Sequence, residues 1–195
     1  MEEKLHAVPA FRGLVNSYGW YYHKLKPDGI PGRGVLQPGL FDYLVILDGD
    51  RAVPIEVEAD GLSMPFSKFS PNQRQWYERQ RLAGLRGVRF WWFFMLGFPS
   101  FEENSDLYPV RAWLVDIPGW LRVESSRASG KIFKSISYIA ALQSPILKEC
   151  ELLHIGEDLK KGWVLPVDHP FALEYHVLAG GVNGEEEYPR RSPGR

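Results

Sequence analysis

The residues best suited to chemistry in this chain are Glu56 and Glu58, two positions apart in the segment Ala52–Glu58. In an extended strand, residues with this spacing share one face about 7 Å apart. A hairpin with Asp42 upstream would gather three carboxylates, which repel one another unless a cation lies between them. Mg²⁺ suits that place because proteins hold it with one or two carboxylates, water and substrate phosphate. The pattern therefore predicts metal-dependent chemistry on a phosphodiester.

The charge distribution adds a phosphate-binding part to this acidic cluster. Residues 42–60 hold six acidic residues and one basic residue, and residues 68–89 hold six basic residues and one acidic residue. A metal-dependent nuclease needs both parts, whereas the net charge of −1 argues against a uniformly basic coat. For any single arginine, a solvated helix face is an equally good explanation. The candidate DNA-binding residues are Lys68, Arg74, Arg79, Arg81, Lys24 and Lys26.

The elements that must position the acids are two strands and the segments around them. Tyr43–Leu47 and Ala52–Glu58 are β-prone and are separated by the tight-turn sequence Asp48-Gly49-Asp50, which predicts a hairpin. The apolar residues Val53, Ile55 and Val57 would face one way, and the acids the other. A helix is expected over 11–26, and the Pro- and Gly-rich segment 27–41 is expected to be a loop.

A strong helix start follows a second loop, predicted over 59–69. Ser70, Pro71 and Gln73 make a capping box with proline in the first turn, and the helix is expected to end near Gly84 or Gly87. Val88–Leu96 is a continuous apolar run, typical of a strand buried on both faces. The remaining predictions are a strand over Val110–Val115 stopped by Ile117-Pro118-Gly119, a helix near 135–142, and a hairpin of Leu152–Ile155 with Gly162–Val167.

This order of elements predicts an α/β fold with a mixed central sheet flanked by helices. At 195 residues, one domain over 1–179 is expected, with a core at about 11–115, a C-terminal elaboration at about 116–179, and a flexible tail over 180–195. The lone Cys150 favours a reducing compartment, and no apolar run is long enough to span a bilayer. A cytoplasmic protein is therefore expected.

The ordered motifs resemble the PD-(D/E)xK nuclease superfamily. They are Gly-x-x-Asp ending at Asp42, a hairpin, Glu-x-Glu at 56–58, and Ser-Pro-x-Gln opening a helix at Ser70. The following segment, FSPNQRQWYERQRLAGLRGVRFWWFF, is similar to its counterpart in Holliday-junction resolvases and virus-type replication-repair nucleases. The likeness covers about residues 11–97 and implies a restriction-endonuclease-like core.

The resemblance also implies roles for individual residues. Asp42 and Glu56 would bind Mg²⁺ or Mn²⁺, with the Val57 carbonyl as a further ligand, and Gln73 would lie at the rim of the active site. Glu58 occupies the position where the family carries lysine. It would handle the attacking water or a second metal, or Lys68 would serve as a displaced cation. Unlike many relatives, residues 11–26 offer no glutamate.

The sequence is compatible with three functions. The first is a Mg²⁺-dependent DNA endonuclease, with a structure-selective, Holliday-junction resolvase-like homodimer as the favoured subtype and a sequence-specific restriction-type enzyme as the alternative. The second is a DNA-binding protein of the same fold that has lost catalysis, motivated by the altered lysine position. The third is an interaction protein that uses its aromatic residues. Both a phage protein and a host repair enzyme are compatible with this pattern.

Overall fold

The chain folds into a mixed α/β structure. The computed structural model describes residues 3–25, 40–47, 51–83, 89–96, 109–126 and 133–175. In these ranges the elements are α1 (Glu3–Ser17), β1 (Tyr21–Lys24), β2 (Tyr43–Ile46), β3 (Ala52–Ala59), β4 (Ser63–Pro65), a 3₁₀ turn (Phe66–Lys68), α2 (Pro71–Leu82), β5 (Trp91–Leu96), β6 (Arg111–Asp116), α3 (Ile117–Ser126), β7 (Ser135–Ser137), α4 (Tyr138–Gln143), α5 (Pro145–Glu149), β8 (Leu153–His154), β9 (Trp163–Val164) and α6 (Pro170–Tyr175).

The central sheet of the described part has five strands in the order β1-β2-β3-β5-β6. β1, β2 and β3 are antiparallel neighbours, which confirms the predicted hairpin of the second and third strands. β5 then lies parallel to β3 after the crossover that contains α2, and β6 returns antiparallel to it. Two short pairs complete the strands, β4 with β7 and β8 with β9. The latter pair confirms the predicted late hairpin.

The sheet separates two apolar clusters because side chains alternate along each strand. Trp91, Phe93 and Met95 of β5 enter the cluster beneath α1, which also contains Phe11 and Leu14. Trp92, Phe94 and Leu96 enter the opposite cluster. All six residues of β5 are buried, so the prediction of a strand buried on both faces is confirmed. We call the side that carries Trp92 and Phe94 the aromatic face, and the other the α1 face.

The N-terminal prediction was wrong in its boundaries. The helix spans Glu3–Ser17 rather than 11–26, and Tyr21–Lys24 is an edge strand. Gly19 explains the change, because its φ of 64° lies in the left-handed region that ends a helix. Four β1 residues then find backbone partners on β2, from Tyr21 opposite Ile46 to Lys24 opposite Tyr43.

Three further boundaries differ from the sequence predictions. The segment 59–69, expected to be a loop, contains β4 and the 3₁₀ turn. The strand that ends at Asp116 leads directly into α3, where Asp116 Oδ1 accepts the Gly119 amide at 2.8 Å, as a helix-capping side chain does. Within 135–142, the first three residues form β7, because they pair with β4 before Ser137 caps α4. The turn at 48–50, Val88 and the tail 180–195 lie outside the described residues.

A buried histidine joins the C-terminal helix to the rest of the fold. The His169 ring is fully buried, and its Nδ1 accepts the Phe171 amide at 3.0 Å. Nε2 therefore carries the proton and donates it to the Cys150 carbonyl at 3.1 Å. Burial lowers the pKa of His169 from 6.5 to about 4 and raises the pKa of the Cys150 thiol to about 12. Both side chains are thus neutral near pH 7.

We predict that His169 makes the protein less stable in mild acid. Below pH 6.5 the unfolded chain binds a proton that the folded chain does not bind until about pH 4. The free energy of unfolding should fall by about 3 kcal/mol from this residue over that interval. Chemical denaturation of the unaltered protein and of His169→Gln at pH 7, 5.5 and 4 measures the effect. The difference between the two should shrink as the pH falls, and parallel profiles would contradict the assignment.

Candidate active site

Asp42 and Glu56 lie opposite each other where β2 begins. The register pairs Tyr43 with Ile55, and its extension by one residue places Asp42 opposite Glu56. Asp42 Oδ2 accepts the Val57 amide at 3.3 Å, which anchors this carboxylate on the backbone of β3. The hairpin therefore brings these two acids together in the manner that the sequence spacing predicts.

The acids of β3 project to the aromatic face. Val53, Ile55 and Val57 enter the cluster beneath α1, so Glu56 and Glu58 point to the other side. In the parallel pairing their neighbours on β5 are aromatic, Trp92 beside Glu56 and Phe94 beside Glu58. Glu56 is half-buried, and Glu58 is only 8% exposed. A carboxylate this deep among aromatic rings needs a charged or hydrogen-bonding partner.

Lys68 is the cation beside Glu58. Its Nζ lies 3.1 Å from Glu58 Oε2 and 4.0 Å from Asp60 Oδ2. The 3₁₀ turn that ends at Lys68 brings the ammonium group back over β3, ten residues downstream of the glutamate it meets. A positive charge therefore lies directly beside the Glu58 carboxylate, supplied by a residue outside β3.

Gln73 connects the start of α2 to the segment before Asp42. Its side chain is 3% exposed, and Oε1 accepts the Ser70 amide at 2.7 Å in the predicted capping box. Nε2 donates to the Leu40 carbonyl at 2.9 Å. Gln73 thereby positions the chain two residues before Asp42. These contacts account for the burial of Gln73 and add a positioning role to its predicted place at the active-site rim.

Arg74 is held within the protein by several contacts. Its Nη1 and Nη2 form a two-pronged pair with Glu124 at 2.9 and 3.1 Å. Nε donates to the Phe69 carbonyl at 3.1 Å and Nη2 to the Phe66 carbonyl at 3.2 Å, while the guanidinium lies 4.8 Å from the centre of the Phe69 ring. A DNA phosphate would have to displace these bonds, so this geometry favours a structural role for Arg74.

Three other predicted DNA-binding residues, Lys24, Arg79 and Arg81, are exposed. Arg79 is exposed on α2, and Arg81 forms a solvent-exposed pair with Glu78 at 2.8 Å, a type of contact that contributes little stability. Lys24 is exposed at the end of the edge strand β1. Lys24 pairs with Tyr43, whose side chain enters the cluster beneath α1, so Lys24 points to the α1 face, on the side of the sheet opposite the acids. Lys26 lies outside the described residues.

The donor atoms near Asp42 and Glu56 fit a hard divalent ion. Two carboxylates and the neighbouring Val57 backbone suit Mg²⁺ or Mn²⁺, which bind oxygen ligands. Within the described ranges, no three His, Cys, Asp or Glu side chains form a group that could hold a metal ion. Two carboxylates nevertheless meet the usual requirement of Mg²⁺, because water and substrate phosphate complete its coordination.

Asp60 is the acid that sequence reasoning left out of the site. It continues the alternation of Glu56 and Glu58 by one more step and comes within 4.0 Å of Lys68. That period-two alternation is the signal that could have identified it. The position of Lys68 itself is set by the 3₁₀ turn inside a segment that the sequence predicted to be a loop.

The chain matches no protein-family model. No curated protein matches it either.

No helix among the described residues has the length and apolar character required to cross a membrane.

We predict that Gln73→Glu destabilises the protein while retaining the cap. A glutamate can still accept the Ser70 amide, but it places a carboxylate oxygen against the Leu40 carbonyl in place of the Nε2 donor. Leaving that buried carbonyl without its donor should cost about 1–3 kcal/mol. Ser70→Ala, which removes the other half of the capping box, should cost about 1 kcal/mol. Urea denaturation measures both. Equal stability of Gln73→Glu and the unaltered protein would contradict the role given to the Leu40 bond.

Proposed function

We propose that this protein is a Mg²⁺-dependent DNA endonuclease. The observation that carries the proposal is the pairing of Asp42 with Glu56 across the hairpin of β2 and β3. The Lys68 ammonium group lies nearby, beside Glu58. Paired carboxylates, a nearby cation and an adjoining basic helix are the components that phosphodiester hydrolysis requires. The particular fold we propose is the restriction-endonuclease-like core.

The order of elements supports the same proposal. A hairpin carries Asp42 and the Glu-x-Glu segment, α2 opens with Ser70 and Gln73, and the apolar strand β5 follows parallel to β3. This is the order in which these motifs occur in the nucleases that the sequence resembles. Trp76 and Tyr77 of α2 pack on the aromatic face of the sheet, the face to which the acids project.

The proposed mechanism assigns a task to each charged residue. Asp42 and Glu56 would hold the ion, which when bound positions the scissile phosphate and activates a water molecule. The water would attack phosphorus and give up a proton to solvent, the bond to one ester oxygen would break, and that oxygen would leave as the alcohol after taking a proton from solvent. Lys68 would offer its positive charge to the oxygens of the phosphate as negative charge develops on them. Glu58 and Asp60 would hold Lys68 in place through the contacts at 3.1 and 4.0 Å.

The favoured substrate is branched DNA, cut by a homodimer. Two symmetric cuts on a four-way junction require two active sites, which a two-fold dimer supplies. The direct test incubates the purified protein with Mg²⁺ or Mn²⁺ and junction, flap, duplex and single-stranded DNA. Cleavage of junctions before the others supports this subtype, and cleavage of duplex at one sequence supports the restriction-type alternative. DNA binding without cleavage of any substrate would overturn the nuclease proposal in favour of a non-catalytic DNA-binding protein.

We predict that Glu56→Gln abolishes cleavage and preserves DNA binding. The substitution keeps the shape of the side chain but removes a charged metal ligand, so activity should fall at least 100-fold. Glu149→Gln, at an exposed position on α5, is the matched control and should cleave normally. Cleavage rates and DNA affinities of both variants are compared under identical metal concentrations. Full activity of Glu56→Gln would exclude the proposed site.

We predict that Lys68 contributes to cleavage separately from its contribution to folding. Lys68→Met leaves Glu58 deep in the protein without the ammonium group, so stability and activity should both fall. Adding Glu58→Gln removes the uncompensated charge, and the double variant should recover stability without recovering cleavage. Denaturation curves and single-turnover cleavage rates separate the two effects. Recovery of activity together with stability would show that the lysine acts only on the fold.

A further inference from the structure

A basic groove lies on the α1 face, away from the acids. It has a volume of about 500 Å³ and runs between α1 and the turn that joins β8 to β9. Its polar and charged lining consists of Arg12, Asn16, Ser17, Lys160 and Lys161. Among the residues that the structure describes, three cations and an amide line it, and no acidic side chain does. In a chain whose net charge is −1, this is a local concentration of positive charge.

Close packing fixes the lysine turn against the helix. Gly13 faces the Lys160 backbone so tightly that a Cβ atom there would collide with the Lys160 carbonyl oxygen. Within the turn, the Lys161 amide donates to the Asp158 carbonyl at 2.8 Å, and His154 Nε2 donates to the Lys161 carbonyl at 3.0 Å. The His154 ring packs on Trp163 with their centres 4.5 Å apart. These contacts hold the backbone of the two lysines in place.

Arg12 and the nearest acids complete the electrostatics of the groove. The Arg12 guanidinium, which lines the groove, lies 5.8 Å from the centre of the Tyr22 ring in a cation–π contact. Asp158 lies beside the lysines, but its Oδ1 accepts the Lys160 amide at 2.9 Å and so serves the turn. Glu157 is exposed on the same turn. Both carboxylates keep their negative charge, but the three cations of the lining outnumber them.

We propose that this groove binds phosphate groups of a nucleic-acid strand. Arg and Lys side chains are the usual phosphate ligands, and the Asn16 amide adds a neutral donor. The volume exceeds the need of a lone phosphate and leaves room for the attached sugar. Because α1 covers the face opposite Glu56, a strand held here is not the one at the proposed cleavage site. The groove is a second binding surface, and its existence does not depend on nuclease activity.

The test measures the affinity of a short fluorescent single strand over a range of salt concentrations, in EDTA so that no cleavage occurs. Lys160→Gln with Lys161→Gln should weaken binding at least 10-fold and make the salt slope shallower by about 1–2, because two phosphate contacts are lost. The matched control, Arg122→Gln with Lys148→Gln, removes the same charge from exposed positions on α3 and α5 and should retain the affinity. Thermal melts establish that both proteins are folded.

Calorimetry with inorganic phosphate identifies the source of the ligand. If the groove variant loses affinity for the strand and the control variant does not, the ligand of the groove is a nucleic-acid strand. Phosphate binding that needs Lys160 and Lys161, with strand affinity unchanged, retains the anion site but overturns the assignment to nucleic acid. Equal affinities of the groove variant and the control for both probes would overturn the proposal altogether. Cleavage by the groove variant is read separately, so failure of this inference is distinct from failure of the nuclease proposal.

Discussion

The alternation of apolar and acidic side chains along β3 is the constraint on which the arrangement depends. Val53, Ile55 and Val57 are fully buried beneath α1, and this burial fixes which face receives Glu56, Glu58 and Asp60. A shift of register by one residue would send the carboxylates into the apolar cluster, so the register is strongly specified. The same burial that stabilises the sheet therefore assembles the acids on the aromatic face.

Placing acids among aromatic rings carries an electrostatic cost that the structure meets in two ways. Glu58 is compensated by Lys68, and Asp42 is held by a backbone amide of β3. Gln73 adds a longer connection, because it ties the N-terminus of α2 to the Leu40 carbonyl. Each element that bounds the site is thus attached to another through a buried or half-buried polar contact. The positions of the charged groups follow from these contacts.

The sequence predicted the parts of the fold that rest on local rules. The hairpin of Tyr43–Ile46 with Ala52–Ala59, the capped helix from Pro71 and the buried strand Trp91–Leu96 follow from alternation, turn chemistry and capping. The edge strand Tyr21–Lys24 was missed, because its aromatic residues also fit a helical period and only pairing with β2 decides between the two. The start of α3 was missed for a related reason, since Pro118 and Gly119 indicate a stop unless Asp116 is seen to cap the helix.

In the candidate site, too, local patterns were predicted and long-range contacts were missed. Asp42, Glu56 and Glu58 could be selected from spacing, and the juxtaposition of the first two follows from the hairpin. The Lys68–Glu58 pair forms because the chain after β3 folds back over that strand, which spacing does not predict. Lys68 itself was among the candidate residues. Arg74 was selected for its charge, but the Glu124 carboxylate that it meets lies fifty residues away on another helix. Long-range ion pairs of this kind leave no periodic signal in the chain.

Metal binding at Asp42 and Glu56 can be measured without knowledge of the DNA substrate. Calorimetric titration with Mn²⁺ compares the unaltered protein with Asp42→Asn, which can still accept the Val57 amide, and with the surface variant Glu149→Gln. We expect saturable binding by the unaltered protein and by Glu149→Gln, with at least a 10-fold loss of affinity in Asp42→Asn. Identical titrations of all three proteins, or no binding by any of them, would contradict the assignment of Asp42 and Glu56 as a metal site.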